Sequence, residues 1–321
     1  MIVALSFAAA KQADKLATLL GEPYGTLILT LSVALIEVTL IAAVMLGPGQ
    51  HPSIARDSIM SVSMIILNLV VGLALVVSHG AGSANPGGTK TYLALLVIFV
   101  FTTFALPNLL GNGGQFPRIL GWGAAVVISG GYAFFLYRQM GPSRTRYQEL
   151  QSGARNADRA QVGMGTGTTR SRTVKSSVLL VVLLALVIVL ADSMADLMDS
   201  AFSMVDAPPA LAGLVIATVV FLPETITTLK AARAGEMQRV SNLCHGALLS
   251  TMGITVPVVV AVGLVSGTPV VFAEGRANLT LFVATFALTY FSFGRGRNER
   301  RLGVLHLGLF LLYVVLLLTQ G

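Results

Sequence analysis

The chain is short of charge. Of its 321 residues only 11% are Asp, Glu, Lys or Arg, while 55% are hydrophobic. A soluble domain carries roughly 25% charged residues. Mean hydropathy is +0.80, too high for a water-facing shell, so the expected solvent is bilayer. Cysteine is nearly missing: Cys244 stands alone, which excludes an intrachain disulfide and a thiolate metal cluster. Histidine is scarce, and His51, His79, His245 and His306 follow no ligand spacing. No nucleophile–base pair or nucleotide loop is legible, so neither an enzyme nor a bound cofactor is expected. Net charge is +7, but in such an apolar chain the position of charge matters more than its sum. Nucleic acid is therefore not an expected partner. Lipid and inorganic cations are, and homo-oligomerisation stays open.

What is there is long apolar runs. Crossing about 30 Å of hydrocarbon takes about 20 residues. Nine stretches qualify, at roughly 24–47, 57–79, 91–110, 118–138, 176–194, 208–229, 241–266, 277–293 and 303–320. The opening MIVALSFAAA reaches only half a span before Lys11.

Lys and Arg set the orientation. Residues 138–175 form the only long polar stretch, with eight basic residues against Glu149 and Asp158. Rich in Gly, Ser and Thr, residues 139–175 read as a flexible cytoplasmic linker. Threading the spans outward from it places 18 of the 21 basic residues inside and leaves Arg56, Arg118 and Arg276 outside. The C-terminus then lies outside, and the expected location is the cytoplasmic membrane as a multi-pass protein.

The two sides of the linker correspond. ADKLATLLGEPYGTLILTLSVALIEVTLI precedes it and ADLMDSAFSMVDAPPALAGLVIATVVFLPETITTL follows it. Each has an Ala-Asp at a helix end, a Gly/Pro-containing turn and an apolar span with one glutamate, Glu37 or Glu224. The charge count runs these two spans in opposite directions. That predicts an all-α protein of two inverted-topology repeats of five helices, with its site near the midplane at the repeat interface. Residues 1–138 form the first repeat and 176–321 the second. The helix 176–194 has only residues 1–20 as its counterpart, so the first helix of repeat 1 is expected to be truncated, a complete version carrying more apolar sequence upstream.

A carboxylate at mid-span costs a few kcal/mol and usually serves a function. Glu37 lies near the centre of its span. Glu224 follows Pro223, which removes an N–H and frees a carbonyl one turn back. Two carboxylates with hydroxyls and carbonyls make a hard-oxygen site suited to Ca2+. Facing carboxylates without a cation repel each other in low dielectric and take up protons. Cation and protons thus compete for one pair of groups, the minimal machinery of an antiporter. Supporting candidates are Thr30 and Ser32 near Glu37, Thr218, Thr225 and Thr227 near Glu224, Asn68 and Ser250 or Thr251 in the spans that follow, and Glu22 at the cytoplasmic mouth. Asp57 reads as a helix-start residue, Asp192, Asp196 and Asp199 as a solvated outer face, and His245 and His306 as packing histidines.

GEPYGTLILTLSVALIEV (21–38), FLPETITTLKAARAGEMQRVSNL (221–243) and the closing GRGRNERRLGVLHLGLFLLY (294–313) resemble the Ca2+/H+ antiporters of the cation/Ca2+ exchanger superfamily, bacterial ChaA type. The resemblance spans essentially the whole chain. It implies ten core helices, commonly with one more at the N-terminus, and one acidic ion ligand per repeat, at Glu37 and Glu224. Many relatives carry Gly-Asn-Ala before each glutamate, where this chain has Val33-Ala34-Leu35-Ile36 and Phe221-Leu222-Pro223; an amide ligand is lost. Relatives often have an acidic segment between the halves, and the linker here is basic. The type is linked to Na+ and K+ as well as Ca2+, so Na+(K+)/H+ exchange is the nearest alternative. A truncated or non-transporting membrane protein is the second.

Overall fold

The computed structural model describes residues 2–20, 24–47, 51–78, 83–148, 166–205, 209–295 and 299–320. Among these residues the chain forms ten long helices: α1 (Ile2–Leu20), α2 (Tyr24–Leu46), α3 (Ile54–Val77), α4 (Pro86–Leu110), α5 (Arg118–Met140), α6 (Thr166–Val205), α7 (Pro209–Arg233), α8 (Met237–Ser266), α9 (Arg276–Gly294) and α10 (Arg300–Gln320). Eight carry stretches long and apolar enough to cross a membrane, and α2 has a shorter apolar segment, Thr30–Leu46. The expected spans all fall on helices. The opening residues join them: α1 is continuous over 19 residues, against 40 in its counterpart α6. It buries Ala9, Ala13 and Leu16, which share one helical face, and exposes Lys11 and Lys15.

The protein is two inverted repeats, α1–α5 and α6–α10, and irregularities in the helices mark the correspondence. Wide π turns interrupt α3 at Ile65–Val70, α8 at Thr251–Thr255 and α4 at Phe101–Ala105, and one closes α9 at Tyr290–Gly294. In α4 and α8 the cause is local. Pro107 and Pro257 follow the turn, and a proline ring has no N–H and collides with the carbonyl four residues back. Widening the helix absorbs both. Packing obeys the same symmetry: α2 lies on α8 as α7 lies on α3, and α8 lies on α5 as α3 lies on α10. Close approaches depend on glycine. A Cβ on Gly213 of α7 would sit 2.6 Å from the Asp57 backbone of α3, and one on Gly303 of α10 would sit 2.8 Å from the Gly72 carbonyl of α3.

The three basic residues assigned to one side do share one end. There Val271 N donates to Pro52 O (2.8 Å), Phe272 N and Ala273 N donate to Gly114 O (3.0 Å each), and Glu274 N donates to Phe104 O (3.3 Å). Segments 51–56, 111–118 and 267–276 thereby meet. Two findings at the opposite end differ from the linker reading. Helix α6 begins at Thr166, inside the polar stretch. The start of that stretch is docked: Tyr147 is buried against Tyr92 and Phe135, and its carbonyl accepts from Asn242 Nδ2 at 2.7 Å. Gly and Ser around it gave the segment a flexible composition, but one aromatic ring and one buried amide hold it.

Glu274 anchors the first end. Its Oε1 accepts from Gly275 N (3.0 Å) and Asn278 Nδ2 (2.8 Å), and its Oε2 lies 3.6 Å from Arg56 Nε. Arg56 in turn holds Asp57 Oδ1 at 2.8 Å and Ala273 O at 3.2 Å. Burial raises the Glu274 carboxyl above its usual range, and Arg56 offsets only part of that. A carboxyl raised by folding stabilises at low pH, and that contribution is lost as pH climbs through its folded value. Glu274→Gln keeps the shape and leaves Arg56 paired with Asp57. Its melting temperature relative to wild type should rise as pH climbs above the ordinary carboxylate range; a difference flat in pH would contradict this.

Candidate functional site

Glu37 lies in mid-helix on α2 with none of its surface exposed. Its Oε2 accepts a 2.6 Å hydrogen bond from Thr251 Oγ1, at the start of the wide turn in α8. Its Oε1 has no hydrogen-bond partner. Glu224, on α7, is 3% exposed, and neither carboxylate oxygen has a partner. Helix α7 continues through Pro223, leaving the Val219 carbonyl without its usual donor. The two glutamates come from opposite repeats on helices that pack together, within electrostatic range of one another. Three of the four carboxylate oxygens are therefore buried and unpaired. A native core rarely tolerates that unless something else meets those oxygens.

Glu224 lines a narrow cleft with Thr225 and Thr228 of its own helix, Cys244 of α8, and Ile66 and Val70 of α3. Its free space is about 10 Å³, on the order of one water molecule. A single dehydrated ion is the largest guest that fits.

The other predicted residues divide. Thr251 reaches Glu37 directly. Ser250 and Thr30 are joined one step away: Tyr132 OH and Ser250 Oγ are 2.7 Å apart, Ser250 Oγ lies 3.4 Å from Thr30 Oγ1, and Thr30 donates to Leu27 O. Ser32 is buried but donates to Ile28 O of its own helix. Thr225 lies on the cleft, its hydroxyl donating to Phe221 O, and Thr227 donates to Pro223 O. Thr218 is exposed on the outside of the bundle and donates to Leu214 O; six residues before Glu224 it lies about 120° round the helix, so the site reading does not hold for it. Asn68 is buried but bonds neither carboxylate. It donates to Thr285 Oγ1 (2.9 Å) and meets His306 Nδ1 (3.1 Å), whose Nε2 meets Ser292 Oγ (3.1 Å). That polar cluster binds α3, α9 and α10 together. His245 packs between the rings of Tyr92 and Phe293, as a packing histidine should. Asp57 is at the start of α3, where Ser53 Oγ donates to it at 2.7 Å. Asp196 is exposed. Glu22 and the side chains of Asp192 and Asp199 lie outside the described residues.

Two contributors went unread in the sequence. Thr228 is four residues after Glu224 and so shares its helical face, a signal that i,i+4 counting finds. Tyr132 is a polar handle within an apolar span, and its partner on α8 is distant in sequence.

The profile of the family described as sodium/calcium exchanger protein matches residues 1–141 and 175–319. The chain belongs to that family. The sodium-potassium/proton antiporter ChaA of Escherichia coli K12 is 31% identical over 324 aligned residues, covering 98% of this chain and 86% of that one. Two solved structures of YfkE share the fold. The native one superposes with a TM-score of 0.73 at 16% identity, covering 98% of this chain and 89% of that one. The selenium-substituted one, titled a Ca2+/H+ antiporter protein, gives 0.67 at 13% identity and 98% of both chains. This chain is thus a multi-pass membrane exchanger of cations, with the helical inverted-repeat fold of that group.

In this exchanger the Thr251–Glu37 contact makes a prediction. Removing a hydrogen bond to a charged group costs roughly 1.5–3 kcal/mol. Thr251→Ala should raise the cation concentration for half-maximal transport by on the order of tenfold, while Thr251→Ser, which keeps the hydroxyl, should stay close to wild type. Equal effects from both variants would show that the hydroxyl is not what matters.

Proposed function

We propose that this protein exchanges Ca2+ for protons across the cytoplasmic membrane, with Glu37 and Glu224 binding either the cation or protons. One observation carries the reading: two buried carboxylates from opposite repeats present three unpaired oxygens. A bare carboxylate there is costly, so a proton or a cation must neutralise it. Two carboxylates balance one divalent ion, and the Thr251, Thr225 and Thr228 hydroxyls beside them are hard-oxygen donors that Ca2+ prefers. When the ion leaves, two protons restore neutrality. Because neutral loading precedes each crossing, uptake of one species is linked to release of the other. Movement of the outer helices against the core exposes the pair to each side in turn. The 139–175 stretch faces the cytoplasm and the C-terminus faces outward, following the distribution of Lys and Arg.

Na+(K+)/H+ exchange on the same scaffold is a second reading, favoured by the sodium-potassium/proton antiport that the ChaA relative is named for. A monovalent ion needs one carboxylate, so one glutamate becomes dispensable. Proton movement in everted membrane vesicles separates the two, with Ca2+, Na+ or K+ added to wild type, Glu37→Gln and Glu224→Gln. We expect Ca2+ to collapse the proton gradient in wild type and neither variant to respond, a loss of at least about a hundredfold for a ligand carboxylate. A response to Na+ or K+ that survives Glu224→Gln would replace Ca2+ with a monovalent cargo. No response to any of the three ions would remove the antiporter reading itself.

A further inference from the structure

We infer that the Glu224 cleft also binds soft, thiophilic divalent cations, of the Cd2+ class, through a mixed oxygen–sulfur donor set of Glu224 and Cys244. The inference deepens the proposed reading by adding a second cation class at the same site. Three observations converge. Glu224 is 97% buried, and both of its oxygens lack a partner. Cys244, from the facing helix α8, is a buried free thiol lining the same cleft. Thr228 lines the cleft too, adding a hydroxyl oxygen beside the carboxylate and the thiol.

The donor chemistry then decides which ions gain. Calcium has little use for sulfur and would treat Cys244 as an apolar wall. A soft cation instead forms a metal–sulfur bond, with the thiol proton released to solvent as the bond forms. The bound state has a carboxylate and a thiolate around a divalent ion, so charge balances without help from Glu37. A thiolate also holds a soft cation more tenaciously than carboxylates hold Ca2+. Such an ion should enter by the cargo route, dwell in the cleft and stall exchange. Among the described residues no group of three or more His, Cys, Asp and Glu is assembled to hold a metal. The cleft therefore suits an inhibitory ion that competes with cargo, not a resident metal.

The single cysteine makes the test clean, since any thiolate-to-metal charge-transfer band in the tag-free protein must come from Cys244. Purified full-length protein is titrated with Cd2+ and its ultraviolet absorption followed. We expect a band in wild type, its loss in Cys244→Ser, its weakening in Glu224→Gln, and its retreat as Ca2+ is added. In vesicles, the Cd2+ concentration that halves each protein's own uninhibited exchange rate should rise about tenfold or more in Cys244→Ser. Absence of the band in folded wild type would overturn the inference. So would a band unchanged by both Glu224→Gln and Ca2+, which would reduce the site to a thiol acting alone. If Cys244→Ser does not fold, Cys244→Ala and the Glu224→Gln and Ca2+ arms still decide. The absorption readout needs no transport, so a protein that moves no ion but shows the band would sink the antiporter reading and keep this one.

Discussion

Everything in this molecule is arranged around two carboxylates placed where carboxylates are least stable. Glu37 and Glu224 lie within apolar helices, closed off from water, with most of their oxygens unpaired. Helical spans satisfy their own backbone, which is why a chain can cross hydrocarbon at all. They do nothing for a buried carboxylate. Its charge must be met by a proton, a cation or a donor from another helix, and among the described residues only Thr251 supplies a donor. The fold brings that donor from the opposite repeat, so the site exists only when the two halves interlock.

The interlocking is symmetric in its framework and asymmetric in its chemistry. The wide turns recur at matching places in α3 and α8 and in α4 and α9. Yet the turn in α8 presents Thr251 to Glu37, whereas the turn in α3 directs Asn68 to His306 and Thr285. Glu224 is left with a cleft where Glu37 has a hydrogen bond. One half of the site is held and the other is open. On the proposed reading, such a pair has one fixed ligand and one free to follow its ion.

Much of this was legible in the sequence because membranes make simple demands. Apolar runs of span length, Lys and Arg on one side, and a lone glutamate in each of two matching spans gave the helices, the inverted repeat and both carboxylates. What failed to show was helical phase. A span that is apolar on every face has no periodicity to orient it, so the sequence reading names Thr218 and passes over Thr228, although only Thr228 shares Glu224's face. Partners across helices were equally hidden. Asn68 reads as a free amide until α9 and α10 supply Thr285 and His306. Composition misled in the polar stretch, where Tyr147 is docked by one ring and one amide bond and Thr166 already begins a helix.

The central claim is that cation and protons compete for the same two carboxylates, and an equilibrium measurement tests it without transport. Ca2+ is added to purified protein in weakly buffered solution while proton release and Ca2+ binding are recorded together. If the account is right, Ca2+ binding releases protons near neutral pH, binding weakens as pH falls, and both signals vanish in Glu37→Gln and in Glu224→Gln. Ca2+ binding without proton release, or release that persists in both variants, would contradict it.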